Sequence, residues 1–253
     1  MNLYLYAIVP ETYGQTVRDL SLEGIDQQLV DVEILAPFAV VYSRAQKKRY
    51  LSSRSNLLCH ELVQEKIMTA IPNHLGVPLP LQFGLVVADW AEVHQALIVP
   101  YAAKLSSLLQ ELVGKREVSV KIFWDEKVEL DLELQENQDL QQQKQAYGVK
   151  ALSMDQAIEV GQIVANALEQ RKTRIVNHFM ALLSPMALKS IIGKPMTTNM
   201  TDMIGNISFL IENDREPEFA QQVEAIDALY DSRLRLRYNN FTAPYNFVKL
   251  SET

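Results

Sequence analysis

Four histidines, one cysteine and 31 acidic side chains are the groups in this chain that could do chemistry, and their spacing decides what they can do. No two of His60, His74, His94 and His178 lie three or four residues apart, so no helical pair of metal ligands is present. Cys59 and His60 are adjacent. On a helix, neighbours point about 100° apart and do not share a site. Cysteine is usually buried, so Cys59 is expected in the core and His60 on the surface. The close carboxylates Asp125–Glu126 and Glu216/Glu218 sit in polar runs. Paired acids serve general acid–base work only when burial splits their pKa values, so a solvated face is the expectation for both. Neither GxGxxG nor GxxxxGK[ST] nor GxSxG occurs. No catalytic, cofactor-binding or metal-ligating residue is assigned, and no cofactor is expected. An enzyme of an unrecognised α+β type would have to rest on His94 or His178 with a nearby acid.

Two basic clusters remain. Arg44, Lys47, Lys48, Arg49 and Arg54 interleave with Tyr42 and Tyr50, and Arg171, Lys172 and Arg174 form a smaller group. The first could touch an acidic partner or RNA, which would make the chain a small regulatory adaptor. Phosphate binding needs a positive footprint, and the chain carries 24 basic against 31 acidic residues for a net charge of −7. Both clusters are therefore read as solvated surface, with no nucleic-acid partner.

The elements that must position these groups follow from hydrophobic period and turn chemistry. Leu3–Val9 is a short apolar run stopped by Pro10 and reads as a buried strand. Residues 11–28 read as a loop with at most a short helix. Val32–Ile34 and Phe38–Tyr42 flank Pro37 as two strands. Leu58, Leu62, Ile67 and Ile71 repeat near helical spacing, with Ser55 or Asn56 as the cap and Pro72 as the stop. The prolines of Val77–Phe83 predict extended chain that cannot be central strand throughout. Residues 91–113 read as a helix kinked or divided by Pro100 and stopped at Gly114. Val118–Trp124 alternates as a strand.

Residues 125–146 alternate briefly like a strand, but Glu, Leu, Gln and Lys favour a helix. Met154–Leu188 is a long helix, capped by Ser153 and broken near Pro185. Met203–Ile211, Glu216–Tyr230 and Leu234–Tyr238 read as strand, helix and strand, with Arg235 and Arg237 on the wet face. The aromatic tail 241–250 docks on the body.

Length and order together predict an α+β chain of two domains. These are an N-terminal α+β domain over residues 1–115 and a C-terminal domain over 116–253. The latter is a modified ferredoxin-like α/β sandwich with long helices and the docked tail. A single cysteine excludes an internal disulfide and suits a reducing cytosol. No run of about 18 apolar residues is present, and the N-terminus shows no signal-peptide pattern, so no membrane partner is expected.

Four segments carry a resemblance. They are Tyr4-Leu5-Tyr6-Ala7-Ile8-Val9, Leu79-Pro80-Leu81-Gln82-Phe83-Gly84, Glu117-Val118-Ser119-Val120-Lys121-Ile122-Phe123-Trp124 and Pro244-Tyr245-Asn246-Phe247-Val248. In this order, over nearly the whole chain, they resemble the gas vesicle protein F/L family. Gln82 departs from the arginine the family often carries there. The resemblance implies a non-enzymatic accessory protein of gas vesicle assembly. Its partners would be the hydrophobic shell subunit and other accessory proteins, and its place the gas vesicle and the cytoplasm. Leu3–Val9 and Phe241–Leu250 are candidate contact segments, although core strand and docked tail are the favoured readings of both.

Overall fold

The computed structural model describes residues 2–138, 140–142, 153–193, 202–231 and 233–250. By internal contacts the chain divides into two compact units. One is Met1–Glu117 with Leu210–Asp214 and Phe241–Thr253, and the other is Val118–Phe209 with Arg215–Asn240. The tail therefore groups with the first unit.

In the first unit, strand β1 (Leu3–Pro10) lies between its antiparallel partner β3 (Phe38–Arg44) on one side and the two-residue strands β4 (Leu79–Pro80) and β5 (Val86–Val87) on the other. Strand β2 (Asp31–Leu35) closes the β3 edge. β1 is buried on both faces. Leu3, Leu5 and Ile8 join one core cluster, while Tyr4, Tyr6, Ala7 and Val9 join the other. Strict alternation would send Tyr6 and Ala7 to opposite faces, but a register shift between Leu5 and Ala7 puts both on one. The second cluster packs under helices α1 (Gly14–Asp19) and α2 (Arg54–Ala70), the first under α3 (Trp90–Val93) and α4 (Val99–Glu111). Between α3 and α4 the helix widens to a π turn over His94–Ile98. Pro100 has no N–H to give and its ring crowds the preceding turn, so the predicted division falls just ahead of it. Gly114, at φ +74°, follows α4 in the left-handed conformation that favours glycine.

Helix α2 corrects two expectations. Its cap is Ser53, whose hydroxyl accepts the Asn56 N–H at 3.2 Å, one turn earlier than Asn56 itself. Its buried face is His60, Val63, Gln64 and Ile67, whereas Leu58 and Leu62 are exposed. The helix is rotated because His60 and the Gln64 amide nitrogen find hydrogen-bond partners on the sheet side, which offsets much of the penalty of burying them, although Gln64 Oε1 has no partner among the described residues.

The second unit runs from strand β6 (Lys115–Trp124) through helices α5 (Glu126–Glu136) and α6 (Met154–Leu183). Strands β7 (Lys189–Ile192) and β8 (Met203–Glu212), helix α7 (Glu216–Tyr230) and strand β9 (Leu234–Thr242) follow. The antiparallel sheet has the order β7-β8-β6-β9, so the first strand of a βαββαβ chain lies between the third and fourth. That is the ferredoxin-like arrangement. Ser153 caps α6 through a capping box with Gln156.

The lower half of α6 presents Ile175, Val176, Phe179 and Leu183 to the core. Phe179 is fully buried, and burial of such a side chain contributes about 2–3 kcal/mol. Gly205 on β8 lets this helix approach the sheet, since an added Cβ would lie 3.2 Å from Val176 Cγ2 and 3.0 Å from Ile122 Cδ1. Strand β7 was not foreseen from the sequence. Residues 139 and 143–146 of the predicted acidic helix lie outside the described residues.

The alternating acidic stretch is helical, and two of its acids are not solvated. Glu129 and Glu133 are buried, and so is Arg171, which was expected on the surface. Arg171 Nε donates to Glu129 at 2.6 Å, and its Nη1 to Glu133 at 2.8 Å and Glu136 at 2.7 Å. Arg233 donates to Glu129 from the other side at 2.9 Å, and Arg174 to Glu133. Burial of these charges is tolerable because each has a counter-ion and satisfied hydrogen bonds.

Candidate functional site

All four resemblance segments meet around one feature of the first unit. It starts at the hydroxyl of Tyr4 on β1. The Gly84 N–H donates to this oxygen at 3.0 Å, and the oxygen lies 3.1 Å from His60 Nδ1. His60 Nε2 lies 3.1 Å from the Leu81 carbonyl, which can only accept. Nε2 therefore carries the proton and Nδ1 accepts from Tyr4. Gln64 Nε2 donates to the carbonyls of Tyr6 at 2.6 Å and Leu81 at 2.9 Å. The Leu81 N–H donates to the Tyr6 carbonyl at 2.9 Å, and the Leu5 N–H to the Leu85 carbonyl at 3.0 Å. Residues 81–85 are thus fastened to β1 at both ends and arch outward between them. Gly84 makes the arch, at φ +82°.

Electrostatics agree with this geometry. Burial pushes the His60 imidazole down to about 4, so it is neutral at ordinary pH. Burial raises the Tyr4 hydroxyl well above the phenolic range and lifts Tyr6 to about 12. The network is a neutral clamp. Tyr4, Tyr6, His60 and Phe83 also pack ring to ring, with centroids 4.9–6.3 Å apart.

The opposite wall is the tail. Glu117 on β6 is only 1% exposed. Its carboxylate accepts the backbone N–H of Asn246 at 3.0 Å and the Asn246 side-chain amide at 2.6 Å. These charge-assisted bonds hold Tyr245, Phe247, Val248 and Leu250 in place, and the last three pack against the core cluster of the first unit. Between the arch and the tail opens a cleft of about 730 Å³. It is lined by Pro80, Leu81, Phe83 and Leu85 from the arch, by Leu97 and Tyr101, and by Tyr245, Asn246, Val248, Lys249 and Leu250 from the tail. Gln82 is exposed at the lip. The Tyr245 hydroxyl is raised by burial, with the Glu61 and Glu117 charges adding to the effect, so the lining is uncharged there.

The groups considered from sequence fall elsewhere. Cys59 and His60 are reversed from expectation: the imidazole is 2% exposed and the thiol only partly buried. Burial and the charges of Glu23 and Asp26 raise the thiol, so it is not an activated nucleophile. His74, His94 and His178 are exposed, and His178 Nδ1 lies 2.8 Å from the Tyr230 hydroxyl. The 44–54 cations are exposed, Arg44 at the end of β3, Lys47, Lys48 and Arg49 on the loop after it and Arg54 at the start of α2, with Tyr50 turned inward to Asp26. Asp125 caps α5, and Glu216 accepts from Tyr238. Among the described residues, no group of three His, Cys, Asp or Glu side chains could hold a metal ion. Nor is any helix there long and apolar enough to cross a membrane. The Glu117–Asn246 bond was not foreseen. Its one sequence signal is a carboxylate on the same strand face as Ser119 and Phe123.

Comparisons with known proteins agree with the resemblance. A family model described as "Gas vesicle synthesis protein GvpL/GvpF" matches residues 2–249. Gas vesicle protein F of Nostoc sp. (strain PCC 7120) is 47% identical over 250 residues, covering 99% of each chain. Gas vesicle protein F of Dolichospermum flosaquae is 46% identical, covering 98% of each. The crystal structure of the gas vesicle protein GvpF from Anabaena sp. PCC7120 superposes with a TM-score of 0.82 at 43% identity, over 99% of this chain and 97% of that one. That of GvpF from Microcystis aeruginosa gives 0.79 at 44% identity, over 98% and 99%. This chain belongs to the gas vesicle protein GvpL/GvpF family.

Proposed function

We propose that this protein supports gas vesicle assembly by binding the hydrophobic shell subunit, and that the cleft between the 81–85 arch and the tail is where it does so. The reading takes the chain as a cytoplasmic binding protein rather than an enzyme, with other accessory proteins as further partners. One observation carries it: four segments far apart in sequence are spent on building a single cleft with a hydrogen-bonded rim, lined mainly by aliphatic and aromatic side chains with Gln82, Asn246 and Lys249 among them. A free shell subunit with a large apolar face would aggregate. A cleft of about 730 Å³ can shield a few aliphatic side chains, each contributing about 1.5–3 kcal/mol when buried. The neutral His60 and unactivated Cys59 support binding over catalysis.

The test is capture of purified shell subunit by the immobilised protein, at low salt and at about 0.5 M salt, where surface charge pairs are heavily screened. Capture should survive the salt. Leu97→Gln, checked for an unchanged melting curve, should weaken it. Absence of capture at low salt would refute the functional reading. Capture that salt abolishes would refute the apolar mechanism.

A further inference from the structure

Strand β9 forms one edge of the second unit's sheet, and among the described residues no strand pairs with its outer side. Its residues alternate: Leu234 is buried, while Arg235 and Arg237 are exposed. Both guanidinium groups lie over the same ring, Phe123 on β6, at 4.5 and 5.1 Å from its centroid. Phe123 is only 1% exposed although it faces the side of the sheet that these cations occupy. Stacking on an aromatic face fixes the plane of a guanidinium and leaves its N–H edge free to donate, which suits a carboxylate. Arg235 also binds Asp202 at 2.9 Å, with its side chain 58% exposed. Arg237 has no carboxylate partner among the described residues. Lys121, two residues before Phe123, adds a third cation on the same face. Arg235, Arg237 and Lys121 thus gather three cations on a face whose acids include Asp202, beside Arg235, and Glu117, already bound to Asn246, in a chain whose net charge is −7.

We propose that the outer edge of β9 docks an extended acidic segment of a partner protein as a fifth strand of this sheet. Carboxylates at alternate positions of the segment would face Arg235 and Arg237. An edge strand offers a row of backbone donors and acceptors, and strand addition satisfies them while side-chain spacing sets the register. Alternate residues of a strand lie about 6.6 Å apart on one face, so a two-residue acidic period matches the two arginines. A nucleic acid also carries the right charge, but it cannot pair with backbone groups, and the acidic whole would repel it. The proposal is independent of the cleft.

The probe is a fluorescein-labelled peptide of about eight residues, a common strand length, alternating Glu with Val and Thr. Fluorescence anisotropy with the full chain should show saturable binding that weakens with salt. Arg237→Glu should lower affinity about tenfold or more, and the same variant should instead bind a peptide alternating Lys with Val and Thr. Arg237→Gln provides a milder loss should the charge reversal disturb folding. Absence of binding by the alternating acidic peptide would overturn the proposal. So would equal binding of a peptide with its glutamates in one block, or tighter binding of a single-stranded RNA oligomer.

Discussion

Asn246→Ala tests how the cleft is built. The side-chain amide of Asn246 donates to Glu117 at 2.6 Å, and the substitution removes that bond while leaving the backbone N–H at 3.0 Å. A hydrogen bond to a charged group contributes about 1.5–3 kcal/mol, and a buried carboxylate left short of a donor costs more than the bond itself was worth. Glu117 is 1% exposed, but Asn246 is at the surface, so water can replace part of what is lost. The expected cost is therefore at the lower end, about 1.5–2 kcal/mol. It should fall on the first unit and release the tail. Urea unfolding followed by Trp90, which packs against the same core, reads the stability in a Trp124→Phe background. Trypsin should also cut faster after Lys249. A second variant, Glu117→Gln, completes a double-mutant cycle in which the two changes should couple by roughly 1 kcal/mol. Unchanged stability within about 0.5 kcal/mol, the range of an ordinary surface substitution, together with unchanged cleavage, would refute the reasoning.

Two further outcomes follow. His60 has a folded pKa of about 4 against about 6.5 unfolded, so between these values the unfolded chain binds the extra proton and stability falls as pH drops. The loss from pH 7 to 4 should reach about 3 kcal/mol, and the dependence of urea midpoint on pH should be shallower in His60→Gln by that amount. Arg171→Met strands two buried carboxylates, although Arg233 still serves Glu129 and Arg174 still serves Glu133. The cost should sit near the lower bound for breaking a buried pair, about 3 kcal/mol by equilibrium unfolding.

What could be read from sequence was what depends on local period. The elements of the second unit other than β7, the Ser153 cap and the break ahead of Pro100 all come from neighbours within a few residues, and they were legible. The rotation of α2 was not, because the partners that make burial of His60 acceptable, the Leu81 carbonyl and the Tyr4 hydroxyl, lie 21 and 56 residues away. Glu129 and Glu133 looked like a wet face for the same reason, since their counter-ion Arg171 lies 42 and 38 residues further on. The cleft joins Gln82, Tyr101 and Tyr245, and no short-range pattern marks them as neighbours. Family resemblance pointed to the segments but not to the surface they build.

The most direct test of the central claim is site-specific photo-crosslinking during vesicle assembly. A photoreactive residue at Gln82, on the lip of the cleft, should capture the shell subunit, while one at Lys48, on the exposed loop after β3, should not. Capture from Lys48 with none from Gln82 would contradict the account.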